Sequence, residues 1–134
     1  MSDDQAAIAD IEHTLGVTFS EQHRKALVDA RDPIHEACDF LVPNSPYELL
    51  RIRDVNRDLH SPEHPDPWPA FLIAFASNGC GDYFAIKVGN DGRTSITYMD
   101  PDKSVDENLC SDDRSMDFQT FDEWYSHKLG DTPG

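Results

Sequence analysis

Between Phe71 and Met99 three strand-like stretches are separated by two glycine-bearing turns, and this pattern limits the fold more than any other feature. Phe71-Leu-Ile-Ala-Phe-Ala76 is a continuous apolar run that reads as a buried strand. Ser77-Asn78-Gly79-Cys80-Gly81 follows as a turn, with two glycines free to take positive φ. From Asp82 to Val88, Tyr83 and Lys87 alternate with Phe84, Ile86 and Val88, the period of a second strand. Gly89-Asn90-Asp91-Gly92 makes another tight turn, and Thr94 to Met99 is a third strand rich in β-branched residues. Strands joined this closely can only pair antiparallel, so the chain is expected to hold a meander.

Helical patterns flank that meander. Ile8, Ile11 and Leu15 share one face of a helix over residues 3–15, which Gly16 can close. Ser20 is a good N-cap for a second helix running to about Arg31, where Asp32-Pro33 ends it. Phe40 to Val42 suggests a short strand, and Tyr47 to Ile52 fits strand or helix equally. Val55 and Leu59, four apart beside Arg53, Asp54, Arg57 and Asp58, predict a helical turn. Residues 61–69 carry prolines at every second or third place, which forbids a helix or a central strand and predicts a surface loop. Residues 100–117 read as an acidic loop. Phe118, Phe121, Trp124, Tyr125 and Leu129 then line a closing helix from about Phe118 to Leu129, with Asp117 as its cap.

A chain of 134 residues is the length of one domain, so residues 1–134 are expected to share a single core. The formal charge of −15 argues against nucleic acid and against an anionic membrane as partners, because both repel such a field. The N-terminal residues lack the basic start and apolar stretch of a secretion signal. Three widely spaced cysteines, Cys38, Cys80 and Cys110, do not make a disulfide framework, so a reduced, cytoplasmic protein is the natural reading.

The order of elements resembles the SMI1/KNR4 family, also called the SUKH superfamily. Ile8-Ala-Asp-Ile-Glu-His-Thr-Leu-Gly16-Val-Thr-Phe19 is similar to the family's opening helix and the approach to its second helix. Phe71 to Ile86, with its Gly81-Asp82 pair, is similar to the family's strand, glycine turn and aromatic strand. Met116-Asp-Phe118-Gln-Thr-Phe121-Asp-Glu-Trp124 resembles its closing helix. Phe19-Ser20 stands where the family usually has Leu-Pro or Ile-Pro, and residues 32–70 match poorly. The resemblance implies an α+β domain whose antiparallel or mixed sheet, with a central meander, packs against N-terminal and C-terminal helices. It also implies a binding module rather than an enzyme. Many bacterial members are immunity proteins that neutralise toxins, and fungal relatives act as regulators through protein contacts.

Each candidate site has two readings. Gly79, Gly81 and Asp82 form either a strained turn whose Asp bonds nearby N–H groups, which is favoured, or a partner contact. Cys80 would need a base and a lowered pKa to act as a nucleophile, and no local signature places a histidine beside it. Asp100 to Asp106 superficially resembles a calcium loop. It has Val105 and Ser111 where an EF-hand requires Gly and Glu. His60 and His64 are split by Pro62, which argues against zinc. No Gly-rich phosphate loop, Gly-x-Ser-x-Gly or His-Glu-x-x-His occurs, so no cofactor, metal or catalytic residue is expected. Residues 100–123 hold nine acids against Lys103 and Arg114, enough for a solvated loop or for a docking surface toward a basic partner.

The resemblance, together with the charge, implies a non-enzymatic protein-binding module, an immunity protein that neutralises a basic toxin domain by steric and electrostatic occlusion. Asp102, Asp106, Glu107, Asp112 and Asp113 would steer the partner. Trp68, on the proline-rich loop, reads first as packing against its own domain and second as an aromatic anchor. The alternatives are a regulatory module with several host partners and a small enzyme built on Cys80.

Overall fold

In a computed structural model, residues 3–79, 81–110 and 117–130 are described. Helix α1 (Asp3–Leu15) is followed by α2 (Glu21–Val28), the short α3 (Ile34–Ala37) and strand β1 (Asp39–Phe40). A 3₁₀ turn (Glu48–Leu50) leads into α4 (Ile52–His60). The meander is β2 (Leu72–Ser77), β3 (Tyr83–Val88) and β4 (Thr94–Met99), followed by α5 (Val105–Cys110) and α6 (Phe121–Lys128). The sheet runs in the order β1-β2-β3-β4, antiparallel at each step, so the architecture is α+β.

The three strands and α1 form where the sequence predicts them, while the flanks differ for local reasons. Ser20 does cap α2, accepting from His23 N at 3.2 Å. The helix stops at Val28 rather than Arg31, because Asp29 turns extended and its carboxylate accepts from Arg31 N instead. The closing helix starts at Phe121, capped by Thr120 rather than Asp117. Asp117 serves β4: its Oδ1 accepts from Thr97 Oγ1 at 2.9 Å and from Tyr98 N at 3.3 Å. The acidic segment is not all loop. Ser104 and Glu107 cap each other's backbone N–H groups and start α5, the reciprocal arrangement of a capping box.

Side chains alternate across the meander, and each face has its own tryptophan. Trp124, on α6, packs against Phe84 and Phe75, with ring centroids 5.4 and 4.7 Å away. Tyr83 points the opposite way and meets Trp68 edge-on at 5.8 Å. All six residues of β2 are buried. Beyond the short β1, the backbone of Ala74 is completed by a side chain. Asn56, fully buried on α4, accepts from Ala74 N at 2.8 Å and donates to Ala74 O at 2.9 Å. Its amide does there what a neighbouring strand would do.

Among the described residues, both sheet edges are partly covered. At the β4 edge, Ile96 and Phe118 exchange two backbone hydrogen bonds, at 2.7 and 2.9 Å. At the other edge β1 is two residues long, and its continuation Val42 bonds to Leu50 O and Ile52 N. Short and partly covered edges of this kind hinder strand-to-strand aggregation.

The aromatic core encloses a histidine. His23 is fully buried, stacked on Phe121 at 4.2 Å and close to Phe19, Phe40 and Phe75. Neither ring nitrogen has a hydrogen-bond partner among the described residues. Burial lowers its pKa from 6.5 to about 3.

Two expectations follow. The unfolded chain takes up a proton on His23 near pH 6.5, whereas the native chain refuses it until about pH 3, so stability is lost as pH falls below 6.5. At pH 5 the loss from this residue is about 2 kcal/mol. His23→Leu should flatten the difference between urea unfolding curves recorded at pH 7 and pH 5. Asn56→Leu strands both polar groups of Ala74 in the core and should lower the unfolding free energy by roughly 2–4 kcal/mol, read from the urea midpoint.

Candidate partner-binding surface

The proline-rich loop and the start of α5 are tied to each other. Trp68 N donates to Leu59 O at 2.7 Å, which docks the loop on the end of α4. Within the loop, Asp66 N donates to His64 Nδ1, and the Asp66 carboxylate accepts from Val105 N at 2.7 Å. Asn108 fixes the segment before α5. Its Oδ1 accepts from Asp100 N at 2.8 Å, and its Nδ2 donates to Asp100 O and Ser104 O at 3.1 and 2.9 Å. These bonds hold open a cleft of about 330 Å³. Trp68, Tyr83 and Met99 give it apolar walls, and Asp100 and Lys103 stand among its polar ones. Burial, then the charges of Asp58 and Asp82, raise the pKa of the Tyr83 phenol.

Asp82 organises the adjoining turn. Buried at the start of β3, it accepts from Ser77 Oγ at 3.2 Å, Asn78 N at 3.0 Å, Asn78 Nδ2 at 3.0 Å and Tyr98 Oη at 2.8 Å. Gly79 and Gly81 take φ of +93° and +80°, where other residues are strained. Lys128 reaches back from α6 to Asn78 Oδ1 and lies over the Phe84 ring. The turn is thus locked from inside, and Gly81 lies on the cleft.

The structure brings some of the predicted residues together. Trp68, Gly81 and the segment bearing Asp102, Asp106 and Glu107 all belong to this cleft or its α5 rim. The three acids are exposed and form no ion pair among the described residues. Trp68 is only 8% exposed and packs inward on Tyr83, so it lines the wall rather than standing out from it. Asp112, Asp113 and Cys80 lie outside the described residues. Burial pushes the Cys38 thiol up to about 11, with Asp39 adding to the rise and Lys128 opposing it. His60 Nε2 donates to Leu72 O at 2.7 Å. Among the described residues no group of three His, Cys, Asp or Glu could hold a metal, and no helix is long and apolar enough to cross a membrane.

Sequence reasoning missed Asn108 and Asp66, which shape the cleft. Ser104-Val-Asp-Glu107 is the signal that could have located α5, and with it the fixed rim.

Comparison with known proteins agrees with the sequence resemblance. A family model described as the SMI1 / KNR4 family (SUKH-1) matches residues 4–127. No curated protein and no solved structure matches the chain significantly.

The turn can be tested by substitution. Asp82→Ala strands the buried Ser77 hydroxyl, the Asn78 N–H and the Tyr98 hydroxyl, and should cost roughly 3 kcal/mol of stability. Tyr98→Phe removes one bond to Asp82 and should cost about 1–2 kcal/mol. Urea unfolding of the two variants side by side gives the comparison.

Proposed function

Since the chain belongs to the SMI1/KNR4 family, we propose that it is a protein-binding module without chemistry of its own, acting as an immunity protein that neutralises a basic bacterial toxin. The family is compatible with that role. The observation that carries the reading is the exposed acidic rim of Asp102, Asp106 and Glu107 beside an apolar cleft. Charges that are not neutralised within the molecule direct their field outward. Such a field speeds encounter with an oppositely charged protein by roughly 10–10³-fold at low salt. The apolar cleft walls offer desolvated contact once the partner arrives. The partner's active surface is then covered, and neither a metal nor a nucleophile takes part. Toxins that act on nucleic acid need a cationic surface to approach phosphate, and the same surface fits this rim.

The test begins with the genes on either side of this one: a gene for a toxin domain there supplies the partner, and finding none would count against the immunity role. Co-expression of the unmodified chain should restore growth of cells producing that toxin. The Asp102→Lys, Asp106→Lys, Glu107→Lys variant should associate at least about tenfold more slowly in stopped flow at low salt. The gap between the two proteins should narrow as salt rises. Equal association rates across the salt series, or growth restored equally by both proteins, would refute the electrostatic part of the proposal. No growth rescue by the unmodified chain would refute the immunity role.

A further inference from the structure

Along α4 lies a hollow of about 470 Å³ whose lining is cationic in an otherwise acidic molecule. Three guanidiniums line it, those of Arg51, Arg53 and Arg57, together with one carboxylate, Asp54, the His60 ring and the Thr14 hydroxyl at the end of α1. None of the chain's four lysines is there. Arginine offers a planar fork of donors that matches the oxygens of a phosphate, and it stays charged at all working pH values. In a chain of net charge −15, solubility gives no reason to gather cations in one concavity.

Local ion pairs account for only part of this cluster. Arg51 is a staple: its Nε donates to Ser45 O at 2.8 Å and its Nη1 to Asp54 at 3.1 Å. It is thereby held in place before any ligand arrives. Arg53 pairs with Asp10 at 2.8 Å, but both side chains are more than half exposed. An exposed pair of that kind contributes about 0–1 kcal/mol and is readily exchanged for a stronger acceptor. Arg57 is 72% exposed, and its ion-pair partner is the Asp54 carboxylate that Arg51 already engages. Two cations therefore share one anion, and most of the Arg57 donors remain for a ligand.

We propose that this hollow is a binding site for a phosphate-bearing small molecule, with the phosphate held by the guanidiniums of Arg51, Arg53 and Arg57. Asp54 and Asp10 offset only part of the charge of the three arginines, and a phosphate supplies the further charge and acceptors. The volume is in the range of small-molecule sites. The hollow lies apart from the acidic cleft and shares no lining residue with it, so the site stands or falls independently of the toxin-binding reading.

The experiment is a titration of the full ¹⁵N-labelled chain with inorganic phosphate, followed by amide and arginine side-chain spectra. Sodium chloride and sodium acetate at matched ionic strength are run alongside. Phosphate should produce saturable shifts at residues 51–60 and at Thr14, while chloride should not. Arg57→Gln and Arg53→Gln alter exposed side chains, so the variant spectra should otherwise match that of the unmodified chain. Each should weaken phosphate binding by about tenfold. Arg93→Gln, at an exposed turn, should leave it unchanged. Acetate binding as tightly as phosphate would overturn the assignment to phosphate. Shifts that follow ionic strength alone, or an Arg57→Gln variant that binds phosphate like the unmodified chain, would overturn the site.

Discussion

The complete burial of β2 is the constraint on which the remaining structure depends. A strand covered on both faces has no water for its backbone, so each N–H and C=O must find a partner within the protein. The meander supplies one side through β3. The other side is met piecemeal, by two residues of β1, by Leu41, and by the Asn56 amide where β1 does not reach. That last bond fixes α4 against the sheet. With α4 fixed, the proline-rich loop, Trp68 and the cleft take their positions. The site is built outward from a backbone that had to be satisfied.

Much of this was legible in the sequence, and the parts that were not share a cause. Strong periodicity and glycine turns gave away β2, β3, β4 and α1, because those features act between near neighbours. The cap at Ser20 was legible for the same reason. The end of α2 was not, since Asp29 chooses a local bond to Arg31 N over another helical turn. The role of Asp117 was missed because its acceptors serve β4, twenty residues away in the chain. Short α5 was masked by its acids, although Ser104 and Glu107 carried the signal. The chemistry of the cleft depends on Asp66 meeting Val105 and on Asn108 meeting Asp100, pairings that only the folded chain creates. His23 likewise reads as polar in sequence and sits among phenylalanines in the fold.

The family assignment and the physical reading support each other at different levels. Family membership accounts for the order of the elements and makes a binding role reasonable. It does not say which surface binds. The distribution of charge distinguishes two surfaces, an acidic rim on the α5 side and an arginine-lined hollow beside α4. A molecule with two such poles can present different chemistry on different flanks, and substitutions in one leave the other untouched.

The partly covered edges of the sheet have a bearing on how recognition can evolve. Because Phe118 and the segment around Val42 each occupy part of a margin, they obstruct a visitor that would join the sheet by adding a strand of its own. An associate is left to read the outward side chains instead. The exposed side chains of Asp102 and Asp106 take no part in the core, so they can change without unseating it. Selectivity can then be retuned at such positions while the scaffold stays as it is.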